Sequence, residues 1–278
     1  GGYGYYRMTG GELVSGEIGV TGAGVGANVG VFDLYGGSII NDGAGFLVGW
    51  AQGTGVLNLF GGSLVVTKNL IHVTYSRNMN TFGMINLLGP AASVNATGTT
   101  PGSQTLNMAY TNGNKASVVN LNSGIFNINK IFAGSPGTPS FFNFNGGTLR
   151  PNAAQSAFMQ GLTAATVYSG GAVIDSAGFN ITLNQQLKAP TGYGVVALAL
   201  ASGGAGYIGA PAVQIDGGSG SNATAIAHVD LDPDSPTCGQ VTGFTVTSPG
   251  FGYQSSDNLT VTLLGGGFLK AATAGALT

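Results

Sequence analysis

Charge is what this chain has least of. Asp, Glu, Lys and Arg make up 6% of its 278 residues, eight basic against ten acidic, for a formal net charge of −2; an ordinary soluble domain carries about 25%. No basic cluster occurs, so the electrostatic footprint of a nucleic-acid or anionic membrane-surface binder is missing. Cys238 is the single cysteine, which excludes a disulfide within the chain and a Cys metal cluster. The longest strongly apolar run, Val195 to Ala201, falls far short of the ~20 residues a membrane-spanning helix needs, so no membrane insertion is expected. The opening GGYGYY has neither an initiator Met nor a signal-like apolar region, as in a mature or incomplete chain. Helix is excluded by an abundance: 51 Gly and 10 Pro, 61 of 278 residues, interrupt helix interiors. With 43% hydrophobic residues there is matter for a core, and intrinsic disorder fits badly.

One octapeptide recurs: apolar, polar, apolar, any, Gly, Gly, any, apolar. Its copies are YRMTGGEL from Tyr6, FDLYGGSI from Phe32, LNLFGGSL from Leu57 and FNFNGGTL from Phe142, with degenerate copies from Ile85 and Val119. The turn positions Gly10, Gly36, Gly61, Gly89, Ser123 and Gly146 give steps of 26, 25, 28, 34 and 23 residues, and a weaker pair stands at Gly170 and Gly171. A period near 25 with strand alternation is the mark of a β-solenoid coil. Stacking predicts two inward apolar ladders, one of Tyr6, Phe32, Leu57, Ile85, Val119 and Phe142, the other of Met8, Leu34, Leu59, Leu87, Leu121 and Phe144. Between them Arg7, Asp33, Asn58, Asn86, Asn120 and Asn143 form a polar ladder, expected on the outer face, its amides bonding up and down the column. Leu13, Ile39, Leu64 or Leu149 begins the next strand. A third strand starts at Phe46, Leu70, Leu106 and Lys130, giving each coil about three sides. Asn95 to Gln104 reads as an inserted loop and Ala153 to Gly161 as the one short stretch allowed to be helical.

The pattern changes near Tyr193, which sets the expected boundary: a solenoid over 1–192 and a small β-rich module over 193–278. GGAGYIGAPAVQIDGGSGSNATAIAHV from Gly203 is echoed by PGFGYQSSDNLTVTLLGGGFLKAATAGAL from Pro249, with Tyr207 and Tyr253 46 residues apart. The second copy runs off at Thr278, and an unpaired final strand there would be a site of association.

Residues 1 to about 190 resemble the coils of large bacterial surface proteins with autotransporter-associated β-strand repeats, above all in FNFNGGTLRPNAAQSAFMQGL and GGAVIDSAGFNITLNQQL. The GxGY, Gly-rich turn and ATA elements resemble a short β module of such proteins and of phage tail fibres. The resemblance implies a right-handed parallel β-helix of about seven coils and an exported, extended, non-enzymatic protein, although no stretch reads as an autotransporter's membrane barrel.

Candidate sites are few. Glycoside hydrolysis ordinarily needs two facing carboxyl groups, and the acids are thinly spread: Glu12 and Glu17 are the only glutamates, and Arg7 beside Asp33 reads as a cross-coil ion pair. Asp230, Asp232 and Asp234 alternate in DLDPDSP and could begin a calcium site, although a solvated hairpin turn explains them more simply; no other cofactor is implied. His72 and His228 lie in separate apolar stretches. No Gly-rich segment carries a phosphate-loop ending. Trp50, with the Asn95 to Gln104 loop, could present aromatic faces and polar groups to surface glycans. The apolar tail, with Phe268, Leu269, Ala271, Ala272 and Ala274, is the expected assembly element, pairing with an edge of the next copy.

The expected function is a structural protein at the cell surface or outside the cell, a subunit of a head-to-tail filament of copies of itself. A cell-surface adhesin or carbohydrate-binding fibre is the alternative, and a polysaccharide-degrading β-helix enzyme the third reading.

Overall fold

The computed structural model describes residues 1–22, 24, 26–75, 80–96 and 105–278, and every regular element among them is a β-strand. No helix there is long and apolar enough to cross a membrane. The chain forms two compact units: Arg7–Asn28 with Phe32–Ala189, and Gly1–Tyr6 with Val29–Val31 and Pro190–Thr278.

The octapeptides build one face of a β-solenoid of about seven coils. Its strands are β1 (Tyr3–Met8), β3 (Val29–Leu34), β5 (Thr54–Leu59), β8 (Phe82–Leu87), β11 (Ala116–Leu121), β14 (Ser140–Phe144), β17 (Ala164–Val167) and β20 (Leu187–Lys188), hydrogen-bonded in that order. Pairing is parallel from β5 onward, and the register sets Leu57 beside Ile85, Val119 and Phe142, and Leu59 beside Leu87, Leu121 and Phe144.

The second face holds β6 (Ser63–Val66), β9 (Ser93–Ala96), β12 (Ile125–Ile128), β15 (Thr148–Pro151) and β18 (Val173–Ile174); the third holds β7 (Ile71–Tyr75), β10 (Thr105–Ala109), β13 (Lys130–Phe132), β16 (Gln155–Gln160) and β19 (Ile181–Leu183). In the first coils β2 (Glu12–Gly19) and β4 (Ser38–Trp50) run through both faces, bending where the register shifts after Ser15. Asn41 holds that bend: its buried amide donates to the carbonyls of Ser15, Gly16 and Gly45. At the octapeptide corner the second glycine of the pair takes positive φ, 80°, 87° and 71° at Gly11, Gly37 and Gly62, a region costly for any residue with a Cβ.

The two ladders fill the core. Phe32, Leu34, Leu57, Leu59, Ile85, Leu87, Val119, Leu121, Phe142 and Phe144 are all buried in one cluster, joined by Ile39, Leu64, Val94, Phe126 and Leu149 from the second face and Phe46, Ile71, Leu106 and Ile131 from the third. Tyr6 departs from expectation. It is half exposed, whereas Met8 of the same strand is buried in the core cluster.

The polar ladder also departs from expectation, because it is not solvated. Asn86 and Asn120 are fully buried, and Asp33, Asn58 and Asn143 nearly so. Each amide donates one 2.7 Å bond toward the previous coil: Asn143 to Asn120 Oδ1, Asn120 to Asn86, Asn86 to Asn58, and Asn58 to the Asp33 carboxylate. Burial of an amide is costly unless it is hydrogen-bonded, and the one-coil spacing supplies both a donor and an acceptor to Asn58, Asn86 and Asn120. Arg7 lies over the Tyr35 ring, 4.9 Å from its centroid.

Residues 153 to 161 contain strand β16, not a helix. Their coil position decides this: Gln155 and Met159 align with Ile181 and Leu183 of β19, and Phe158 and Met159 are buried in the core. Asn95 belongs to strand β9, in register with Asn127. The rest of the expected loop, 97–104, lies outside the described residues.

In the other unit, β21 (Leu198–Ser202) pairs with β26 (Thr273–Leu277), while β24 (Val241–Phe251), β23 (Ser221–Val229), β22 (Ala212–Gly217) and β25 (Leu259–Leu264) form an antiparallel sheet in that order. The duplicated sequence becomes two halves related by a pseudo-two-fold. Ile215 pairs with its own equivalent, Val261, and the flanking pairs Val213–Leu263 and Gly217–Leu259 exchange under the same operation. Thr224–Ser248 and Ala225–Val246 in one half match Thr273–Ser202 and Ala274–Leu200 in the other. Even the bonds Val241 N to Gly203 O and Val195 N to Pro249 O, 2.8 and 2.7 Å, are equivalent. The third strand of each half therefore pairs with the first strand of the other, and neither half completes its sheets alone. The tail is thus no free strand, because β26 is already paired with β21.

Candidate functional site

Asp230, Asp232 and Asp234 do not converge. Asp230 Oδ2 accepts from the hydroxyls of Ser235 and Thr237, and its Oδ1 from the Asp232 amide. Asp232 Oδ1 accepts from the Asp234 amide. The Ser235 and Thr237 hydroxyls hold the Asp230 carboxyl below the usual carboxylate range. These are turn-forming bonds between β23 and β24, and among the described residues no three His, Cys, Asp or Glu side chains are grouped to hold a metal ion.

Trp50 is brought into an aromatic cluster by coil stacking. Trp50 lies opposite Tyr75 in the β4–β7 register, with ring centroids 6.3 Å apart, and Tyr75 meets Tyr110 of the next coil at 4.6 Å. His72 packs against both tyrosines, at 4.8 and 5.5 Å. Ala51 and Gln52, which follow Trp50, have φ of 47° and 68°, a strained conformation for residues with a Cβ. The Thr21 hydroxyl accepts from the Trp50 amide at 2.7 Å and the Thr81 hydroxyl from the Gln52 amide at 3.0 Å, bracing the turn. The rings pack on one another, which leaves less face for a ligand than the sequence suggests.

His72 is buried, its Nδ1 has no hydrogen-bond partner, and desolvation pulls its pKa from 6.5 down to about 4. Between those values the unfolded chain binds more protons than the folded one, so stability falls as pH drops through that window. The whole shift corresponds to about 3 kcal/mol. Urea unfolding of the wild type between pH 7 and pH 4 is expected to show this loss. His72→Phe should abolish it, and an unchanged slope in that variant would refute the assignment.

The expected assembly residues are divided by the fold. Leu269 is exposed and Phe268 partly so, with the Phe268 ring 5.2 Å from Tyr207. Ala271 is exposed, whereas Ala272 is buried, its amide bonded to the Tyr207 hydroxyl at 2.8 Å, and Ala274 packs beside the same cluster.

A cleft of about 680 Å³ that was not among the expected sites lies between β25 and β26, lined by Tyr193, Gln254, Asp257, Asn258, Val261 and Leu277 among others. Tyr193 is 65% exposed at its rim. Asp257 Oδ2 is fixed by the Gln254 amide, the Ser219 amide and the Ser219 hydroxyl, at 2.8, 3.0 and 2.8 Å, which hold its carboxyl below the usual range. In the other half Ala212 bridges to Ile226, joining β22 to β23. The equivalents, Asn258 and Gly275, instead face the cleft. The signal lay in the differences between repeats: Tyr193, Gln254, Asp257 and Asn258 stand where the other half has Gly239, Ile208, Pro211 and Ala212.

Comparison of the chain with protein-family models, curated proteins and solved structures found no match.

Proposed function

We propose that this chain is a non-enzymatic structural protein of the cell exterior, a subunit of a head-to-tail fibre assembled through open sheet edges. The reading follows the resemblance to bacterial surface proteins with autotransporter-associated β-strand repeats. The observation that carries it is that, among the described residues, β18, β19 and β20 at one end of the solenoid's sheets and β1 and β2 at the other each have a strand neighbour on one side only. Such edges template further strands. Parallel addition of one end to the other is a heterologous contact that does not close, which generates filaments. Sparse charge, 6%, leaves little repulsion between copies, and the last coils expose Val173 and Phe179.

Electron microscopy of the purified chain is expected to show filaments of uniform width. The variant Val173→Lys/Phe179→Lys, altered at exposed positions, should keep the wild-type circular dichroism and remain dispersed. Dispersed wild-type particles at every concentration, or filaments persisting in the variant, would overturn the proposal.

A further inference from the structure

The two halves of the pseudo-symmetric unit differ where their equivalent surfaces meet different surroundings. In the first half Gly209 abuts the rings of Tyr5 and Tyr3, and the Tyr3 hydroxyl donates to the Ala210 carbonyl at 2.8 Å, all within the same unit. The equivalent surface of the second half carries side chains able to hydrogen-bond and is indented by the cleft. Its volume lies in the range of small-ligand sites, about 300–1,000 Å³. The lining offers the exposed aromatic ring of Tyr193, the apolar side chains of Val261 and Leu277, and a carboxylate and two side-chain amides in Asp257, Asn258 and Gln254.

That combination matches one ligand chemistry. A sugar ring presents a C–H face to an aromatic plane and a rim of hydroxyls to planar amide and carboxylate groups, and tyrosine supplies such an amphipathic surface. The Asp257 carboxylate is held in place by its three bonds, so binding does not have to order it. No Lys or Arg lines the cleft and the chain is net acidic, which disfavours acidic sugars.

We infer that the cleft between β25 and β26 binds a neutral oligosaccharide, with Tyr193 as the stacking platform and Asp257, Asn258 and Gln254 as the hydrogen-bonding groups. The inference goes beyond the fibre reading and stands without it, because the cleft is complete within one copy.

The test is saturation-transfer NMR and calorimetry on the full chain with cellotetraose, chitotetraose and mannotetraose, and with a tetragalacturonate as the acidic comparator. At least one neutral tetrasaccharide is expected to bind. Tyr193→Ala should weaken it about tenfold or more, and Tyr110→Ala in the solenoid cluster should leave it unchanged. Should Tyr193→Ala lower the unfolding midpoint, Asn258→Ala at an exposed position takes its place, with the same loss expected. Absence of binding by all three neutral sugars, equal binding of the acidic one, loss in Tyr110→Ala alone, or no change in either cleft variant would overturn the inference.

Discussion

Asn86→Asp is expected to destabilise the solenoid more than Asn86→Leu at pH 7, and to recover as the pH falls. Leucine removes the donor to Asn58 Oδ1 and the acceptor for the Asn120 amide. Two buried polar groups then lose partners at 1–3 kcal/mol each, for a loss of about 3 kcal/mol. Aspartate still accepts from Asn120 but sets an anionic oxygen against Asn58 Oδ1 in a fully buried site. Turning the Asn58 amide round gives no relief, because its oxygen would then face the Asp33 carboxylate to which its nitrogen now donates. Asp33 at the end of the column thus sets the direction of every amide above it. The introduced carboxyl takes a raised folded-state pKa. Its destabilisation, about 5 kcal/mol on the scale of an uncompensated buried charge, is full above the folded pKa and shrinks as the pH falls toward the unfolded value near 4. Once protonated, it can donate to Asn58. Urea unfolding of both variants at pH 7 and pH 4.5, each referred to wild type at the same pH, reads the difference. A deficit for Asn86→Asp that does not shrink at low pH would refute the directional column.

Gly83→Ala should be nearly as damaging although it adds one methyl group. A Cβ at Gly83 would stand 1.8 Å from the Val73 carbonyl oxygen, and at Gly55, its register partner, 2.0 Å from that of Val48. The obstacle is backbone on the third face, which cannot swing aside as a side chain can. A cost of about 3 kcal/mol is expected, the upper part of the overpacking range. Gly10→Ala, where a Cβ would meet nothing within 4 Å, should change stability by less than about 0.5 kcal/mol. Thermal unfolding of the two variants side by side checks this, and equal midpoints would show that the faces can separate freely. Further along the same column Ser117 replaces glycine, and its hydroxyl meets the Thr74 hydroxyl at 2.8 Å. The close approach therefore belongs to particular coils.

Much of the fold was legible because a solenoid turns period into contact. The spacing that aligned Leu57, Ile85, Val119 and Phe142 in the sequence is their hydrogen-bonding register. The same alignment identified the asparagine column but not its burial, since alternation says only that Asn58 points away from Leu57 and Leu59. The candidate sites were less legible. Trp50 was visible as a lone residue, whereas its partners Tyr75 and Tyr110 arrive from coils 25 and 60 residues on. The cleft residues lie inside a repeat whose two copies are otherwise alike, and their differences from Gly239, Ile208, Pro211 and Ala212 mark the opening.

The amino-acid order by itself determined the all-β class, the coil period, the inward ladders, the glycine corners and the internal duplication, because each follows from alternation and step length along one strand or one coil. Tertiary structure alone decided what the repeats do to one another. It buried the amide column in a single direction because Asp33 can only accept at its end. It paired β26 with β21 and β23 with β24, because two equal halves complete each other's sheets. It left β25 and β26 apart over a cleft, because equivalent backbone positions in the two halves meet different neighbours.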